Sequence, residues 1–331
     1  MMRALTAGLA VLILGLITAA ALAPMSNRAD RYDDGDSLYS ALRAQPHTSL
    51  SIGGGEIEVV FADGAPGLEQ ARVMEWIRSG ARAVTTYFGR FPVRHVGLLV
   101  IADDSTRISS GTTYGLSSSA IHIHVGRMAD ESVFRSDWIL VHEMTHLALP
   151  NVPQRSEWLL EGNATYVEPI ARAQARQIDP SVVWRWALEG MPKGRPLPGD
   201  LGLDNTHTWG RTYWGGATFW LLADIGILEQ THGVLGAQEA LRAISRRSGG
   251  NTASWSVDQV MATGDEATGT HVLSRLYAKM RTAPAAIDMS DLFRRLGVGE
   301  RGGSIVFDDG APLAAIRRRI TESRDPSVVQ P

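Results

Sequence analysis

Two histidines one helical turn apart, His142 and His146, constrain this chain more than any other feature, because Glu143 stands between them in the run His-Glu-Met-Thr-His. On an α-helix, residues i and i+4 share a face, so both imidazoles can reach one metal ion. Glu143 lies about 100° around the helix from His142, where its carboxylate can contact a metal-bound water without binding the ion. Glu161 follows as a second helical carboxylate. These residue types at this spacing are typical of a zinc hydrolase.

The residues around the motif predict two helices. Ser136 offers an N-cap before an apolar stretch that ends at Pro150. Ser156 can cap a second helix that carries Glu161 and continues through Glu168. The alternative interpretation is an amphipathic helix with two satisfied histidines and a surface glutamate.

The segment Trp-Leu-Leu-Glu-Gly-Asn-Ala-Thr-Tyr-Val-Glu over residues 158–168 resembles the gluzincin zinc metallopeptidases, in particular the aminopeptidase N and leukotriene hydrolase group and its shorter relatives. The resemblance implies that His142, His146 and Glu161 bind a single zinc ion. It implies that Glu143 is the general base. The expected fold is therefore α+β: a zincin-like catalytic domain with a small N-terminal mixed sheet, an active-site helix and a helical C-terminal section.

A group that stabilises the developing oxyanion is expected downstream of the metal ligands. Residues 213–217, Tyr-Trp-Gly-Gly-Ala, are similar to a Tyr-x-x-Gly-Ala helix of the same group, in which the tyrosine hydrogen-bonds the tetrahedral intermediate. The resemblance makes Tyr213 the candidate catalytic residue for that role. The alternative is an aromatic side chain packed in a tryptophan-rich core. His207 and Arg211 are two further candidate donors.

One departure from the aminopeptidases bears on the substrate. Their Gly-x-Met-Glu-Asn stretch, which holds the free amine of a substrate, is absent, and residues 109–115 (Ser-Ser-Gly-Thr-Thr-Tyr-Gly) offer no carboxylate. We therefore expect a peptidase that cleaves internal bonds of a peptide or protein substrate. An exopeptidase with a rebuilt amine pocket, in which Glu168 supplies the carboxylate, is one alternative. A non-catalytic metal-binding scaffold or regulatory module is another, although it would have no use for Glu143.

Apolar residues alternate with His122 and His124 over residues 121–125, which indicates a strand with a histidine face. We expect an edge strand or hairpin over residues 116–125, with one of these histidines lining the cleft where an extended substrate adds as a strand. The alternative is two exposed strand histidines. A second metal site is not expected, because no acidic residue accompanies them nearby in the sequence.

Three carboxylates, Glu157, Glu168 and Asp224, remain as candidates to accept the second N–H of a ligating histidine. Backbone carbonyl groups often fill this role instead. The spacing along the sequence does not choose among them.

The composition, with 44% hydrophobic and 20% charged residues, is typical of a globular protein. The net charge of −3 gives no reason to expect nucleic-acid binding. The chain has no cysteine, so its stability depends on its core and not on disulfides.

Residues 4–23 contain no charged residue and follow Arg3, which predicts a signal peptide or an N-terminal membrane anchor. Both interpretations place the catalytic part outside the cytoplasm, exported to the cell envelope or secreted. The expected organisation is a leader over 1–23, a polar linker over 24–47, a catalytic domain over 48–230, a helical section over 231–320 and a disordered tail over 321–331.

Overall fold

The computed structural model describes residues 32–323. A five-stranded mixed sheet comes first in the chain, and helices make up most of the remainder. The sheet region contains α1 (Gly35–Ala44), β1 (His47–Ile52), β2 (Gly55–Phe61), α2 (Gln70–Phe88), β3 (His95–Asp103), β4 (Ile108–Gly115) and β5 (Ser119–Gly126). The helical region contains α3 (Glu131–Ser136), α4 (Ile139–His146), α5 (Trp158–Gln174), α6 (Pro180–Gly190), α7 (Gly216–Gln230), α8 (Ala237–Ser248), α9 (Val257–Thr268), α10 (Val272–Met280), α11 (Met289–Leu296), the hairpin β6 (Val298–Arg301) and β7 (Ser304–Phe307), and α12 (Ala314–Thr321). The predicted α+β class is confirmed.

The sheet has the strand order β1-β2-β3-β5-β4 and is covered on both faces. Strands β2, β3 and β5 are parallel, whereas β1 and β4 pair antiparallel with β2 and β5. Apolar residues of one face, such as Ile121 and Ile123, join the main core with α2 and α4. The other face forms a smaller core with α1, in which Leu38 and Leu99 are fully buried. The metal motif on α4 therefore lies on the opposite face of the sheet from α1.

The position of the edge strand corrects the sequence prediction. Strand β5 is buried along its whole length because β3 and β4 flank it and helices cover its faces. The preceding Ser/Gly/Thr stretch forms strand β4, and the hairpin consists of β4 and β5 over residues 108–126, so it begins before the predicted range of 116–125. The free edge on this side of the sheet thus belongs to β4, not to residues 116–125.

The start of the described chain contains a helix within the range expected as a polar linker. Helix α1 begins after Asp34, whose side chain accepts a hydrogen bond from the Ser37 amide, and Leu38 and Tyr39 are buried against the sheet. The predicted leader lies outside the described residues, as does most of the predicted tail. Across residues 32–323, no helix has the length and apolar character needed to cross a bilayer.

Helix α5 is the central element of the helical region. It contacts α4, α7 and α2. Gly162 of α5 and Gly216 of α7 allow a close approach of these two helices, because a Cβ atom on Gly162 would lie 2.3 Å from the backbone of Gly216. This crossing fixes α5 against the segment that carries Tyr213.

Candidate metal centre

Helix α4 presents the two histidines of the motif from a buried position. The side chain of Asp137 caps the start of the helix, since its carboxylate accepts hydrogen bonds from the amides of Ile139 and Leu140, each at 3.1 Å. Ser136, the predicted cap, ends the preceding helix α3 instead. The side chain of His142 is 6% exposed and that of His146 is 14% exposed. Helical spacing and burial together direct both imidazoles towards α5.

A buried carboxylate fixes the start of α5, the helix that carries Glu161. Asp204 accepts hydrogen bonds from Ser156 Oγ and Trp158 Nε1, both at 2.8 Å, and from Tyr277 Oη at 3.0 Å. Ser156 therefore donates to Asp204, whereas the sequence predicted it as a helix cap. Because Trp158 lies one turn before Glu161, this network orients Glu161 towards α4.

His142, His146 and Glu161 converge on one point. Glu161 Oε2 lies 3.3 Å from His142 Nε2 and 3.6 Å from His146 Nε2. Two ligands of a tetrahedral zinc ion with bonds of about 2.0–2.1 Å lie roughly 3.3 Å apart, so these distances fit a shared ion. Burial by itself would raise the pKa of Glu161, but hydrogen bonds from both histidines hold it below its ordinary value. The structure thus brings together the three side chains that the sequence predicted as ligands.

Glu143 is held beside these ligands by strand β4. The hydroxyl oxygen of Thr113 lies 2.8 Å from both the backbone oxygen and Oε2 of Glu143, so it can donate to either. Gly111 packs on the same side chain, because a Cβ atom there would lie 2.7 Å from Glu143 Cγ. The stretch over residues 109–115 therefore contacts the predicted general base.

Tyr213 lies in a π-helical turn, Gly210–Gly215, that leads into α7. Its ring stacks over that of His142 with centroids 6.3 Å apart, and Trp209 stacks on it at 5.9 Å. Burial and the neighbouring Glu161 carboxylate raise the pKa of Tyr213, which keeps the phenol protonated and able to donate a hydrogen bond. The structure therefore places this phenol next to the histidine and carboxylate cluster.

The two other predicted oxyanion donors are placed differently. Arg211 is buried and its guanidinium is committed elsewhere, with Nε 2.7 Å from Asp200 Oδ2 and Nη1 donating to the Gly194 carbonyl at 2.6 Å. This ion pair braces the loop before Tyr213. His207 is exposed on that loop. Within the described chain, Tyr213 is the one of the three candidates with a ring contact to a predicted ligand.

The three carboxylates considered as partners of the ligating histidines differ in their contacts. Asp224 accepts hydrogen bonds from Tyr166 Oη and the Ala237 amide, so it braces α7 against other helices. Glu157 is exposed at the start of α5. Glu168 is 1% exposed and Oε1 accepts from Arg172 Nη1 at 2.8 Å, while Oε2 has no partner within residues 32–323. Nδ1 of His142 also lacks one there, and both side chains line one cavity.

His122 and His124 lie on the far side of the sheet, which corrects two sequence predictions. They are 4% and 7% exposed, so they neither line the cleft of the α4 face nor lie open to solvent. Nδ1 of His122 lies 2.9 Å from the Tyr32 carbonyl oxygen, and Nε2 of His124 lies 3.0 Å from Asp33 Oδ1. An acidic partner is therefore present, because folding brings Asp33, which directly precedes the start of helix α1, next to strand β5.

Three residues of the centre were missed by sequence reasoning: Thr113, Asp137 and Asp204. Asp137 carries a local signal, since an acidic residue that precedes an apolar helix is a common cap. Thr113 and Asp204 act over a long sequence separation and leave no local pattern. Only the folded chain brings them to Glu143 and to the start of α5.

The fold is similar to that of a solved aminopeptidase N family protein, and a lower-scoring match is a solved zinc metallopeptidase. The aminopeptidase N family protein from Idiomarina loihiensis is 12% identical with a TM-score of 0.56, over 76% of this chain and 49% of that chain. The M1 zinc metallopeptidase from Deinococcus radiodurans is 14% identical with a TM-score of 0.45, over 73% of this chain and 54% of that chain. This chain spans about half the length of each. No family model and no curated protein sequence matches it.

Proposed function

We propose that this chain is a zinc-dependent peptide hydrolase. The observation that carries the proposal is the convergence of His142 Nε2, His146 Nε2 and Glu161 Oε2 at the spacing of ligands on one tetrahedral ion. Two imidazoles and one carboxylate leave a fourth position open, as in catalytic zinc sites. The likeness in fold to an aminopeptidase N family protein is consistent with this function.

Each side chain has a separate role in the proposed reaction. Zinc bound at the three ligands would lower the pKa of a coordinated water and polarise the scissile carbonyl. Glu143 takes the proton of the attacking water and passes it to the leaving amine. The phenolic hydroxyl of Tyr213 donates a hydrogen bond to the oxygen that gains negative charge. A purely structural site would need neither of these two side chains.

We infer that internal peptide bonds are cleaved. Strand β4 is at the sheet edge beside Glu143, so an extended substrate can pair with its free backbone groups. Residues 109–115 carry no carboxylate that would hold a terminal amine. Glu168, the alternative amine anchor, already pairs with Arg172 through Oε1. The apolar run over residues 4–23 supports action outside the cytoplasm.

Removal of N-terminal residues is the second candidate, because the similar structure is described as an aminopeptidase N family protein. Such an activity requires a carboxylate that binds the substrate ammonium. Oε2 of Glu168 has no partner within the described chain, so a substrate amine that reached it would find an available acceptor.

The test is cleavage of a diverse peptide pool by zinc-loaded residues 26–331, read by mass spectrometry. Glu143→Gln is the control, because it keeps the size of the side chain and one acceptor oxygen but cannot accept the proton. Internal cuts made only by the unmodified protein are the expected result. Trimming only from N-termini would establish the second candidate, and identical peptide maps for the two proteins would refute hydrolysis.

A further inference from the structure

A cavity of about 410 Å³ opens beside the metal centre. His142 and Tyr213 form part of its wall, so any group bound in it lies next to the proposed reacting atoms. The remaining wall comes from α4, α5, α6 and the π-helical turn. Its volume is within the range of pockets that bind small molecules or substrate side chains.

Four tryptophans line this cavity: Trp138, Trp186, Trp209 and Trp214. Trp138 is 42% exposed and Trp209 is 62% exposed, which leaves large apolar surface in solvent at the entrance. The Trp138 ring lies edge-on to those of Trp186 at 6.0 Å and of His142 at 5.6 Å. A cluster of exposed aromatic side chains around a cavity is typical of a binding site.

Glycine at position 190 builds one side of the cavity. The Trp214 ring approaches so closely that a Cβ atom on Gly190 would lie 2.1 Å from it. The ammonium of Lys193 lies 5.9 Å from the centroid of the same ring. Trp214 is thus held flat against the backbone of α6, with one cation already beside it.

Three buried polar atoms of lining residues have no protein partner within residues 32–323: Nδ1 of His142, Nε1 of Trp214 and Oε2 of Glu168. The last two are a donor, the indole N–H, and an acceptor, the carboxylate oxygen, and a phenolic hydroxyl can satisfy both kinds of group. A cationic side chain fits less well, because Lys193 already lies over Trp214 and Arg172 already pairs with Glu168. An aliphatic side chain would leave both polar atoms unsatisfied.

We propose that this cavity binds an aromatic side chain of the substrate, with tyrosine preferred, at a residue next to the scissile bond. The inference rests on the proposed hydrolase function, and it names the residue class that the same centre selects. Ring-to-ring contacts with the tryptophans supply the selectivity for an aromatic group. The unpartnered donor and acceptor supply the preference for a hydroxyl.

The test uses a series of short alanine-based peptides that differ at one central residue: tyrosine, phenylalanine, leucine or lysine. Each is made with a free and with an acetylated N-terminus. Cleavage rates are measured with the zinc-loaded protein, and affinities are measured by calorimetry with zinc-loaded Glu143→Gln. Trp186→Leu removes one wall of the cavity, and Trp255→Leu is the matched control because this partly buried tryptophan lies elsewhere. Thermal unfolding verifies that both variants fold.

We expect tyrosine to be favoured over leucine by about tenfold or more, and the preference to fall to about twofold in Trp186→Leu while Trp255→Leu retains it. Aromatic-selective binding without cleavage would support the cavity assignment and refute hydrolysis. Cleavage that is equal for the four peptides, or fastest for leucine or lysine, would overturn the cavity assignment and leave hydrolysis standing. Absence of binding and cleavage for every peptide would overturn both.

Discussion

Glu143 depends on a residue of another element for its position. The Thr113 hydroxyl lies 2.8 Å from Oε2 of Glu143, so it can orient the carboxylate towards the open side of the metal centre. Replacing Thr113 by Val keeps the shape of the side chain and removes this donor. Because hydrogen bonds to charged groups are the stronger ones, we expect kcat to fall about tenfold with KM nearly unchanged.

The control for this prediction is Thr112→Val. Thr112 is exposed on the same strand, and its hydroxyl contacts only its neighbour's carbonyl among the described contacts. Steady-state kinetics on one peptide substrate compares the two variants. Equal kcat for Thr113→Val and Thr112→Val would mean that Thr113 does not position the base.

Tyr213 is expected to act only in the transition state. Tyr213→Phe retains the ring that stacks on His142 and loses the hydroxyl. Loss of one such donor typically lowers kcat by about 10²–10³, and we expect that fall without a loss of bound zinc. Kinetics and metal analysis are measured on the same preparation, and a Phe variant with full kcat would rule out the assigned role.

The titration of Glu168 is expected to make the free energy of unfolding depend on pH. Burial raises the pKa of Glu168 to about 7 from its ordinary value of 4.5, although Arg172 opposes this change. A carboxyl group whose folded pKa is raised contributes stability that is present below about pH 4.5 and is lost as the pH rises through 7. Glu168→Gln cannot titrate, so between pH 5 and 8 it should lose less stability than the unmodified protein, by about 2 kcal/mol.

Urea unfolding at several pH values measures this difference in slope. Comparing the slopes cancels the free-energy cost of leaving Arg172 without a charged partner in Glu168→Gln, because that cost is the same at each pH. Glu189→Gln is the control, since that side chain is 59% exposed. A Glu168→Gln variant whose stability falls as steeply with pH as the unmodified protein would contradict the assignment.

Helices α5 and α7 approach each other at two glycines, and this contact joins the ligand Glu161 to the turn that holds Tyr213. Gly162→Ala would place its new atom 2.3 Å from the Gly216 backbone, so the helices must separate. We expect a loss of about 3 kcal/mol in the free energy of unfolding, as in other overpacked cores. Activity should fall as well, because Glu161 is adjacent.

Gly299→Ala is the control, since the nearest atom to a Cβ there is 3.6 Å away. Chemical denaturation with zinc bound measures both variants. If Gly162→Ala is as stable as the control, the helix crossing is not the rigid contact described above.

At the level of elements, the sequence predicts what local patterns encode. The two helices predicted around the histidine motif and around Glu161 are present as α4 and α5. The linker range and the edge strand were less predictable. Helix α1 is stabilised by packing on the sheet, and strand order depends on which segments pair across long separations. Neither the packing of α1 on the sheet nor the order of the strands produces a periodic pattern in the sequence.

At the level of the whole molecule, the metal centre joins parts of the chain that fold around one core. The main core includes residues of the sheet, of α5 and α7, and of the C-terminal helices. The two histidines of the ligand triad could be predicted because the His-Glu-x-x-His spacing is local to one helix, and Glu161 could be predicted because residues 158–168 resemble a known motif. The supports of the triad could not, because Thr113, Asp204 and the tryptophan cavity come from distant segments that the fold brings together.

The central claim is that His142, His146 and Glu161 hold one zinc ion. Crystals of the zinc-loaded protein, measured with X-rays above and below the zinc absorption edge, test it most directly. We expect one full anomalous peak between the two Nε2 atoms and Oε2 of Glu161, and none in the variant His146→Ala. A zinc peak only beside Asp33, His122 and His124, the other group of clustered ligand atoms in residues 32–323, would contradict it, as would no peak at all.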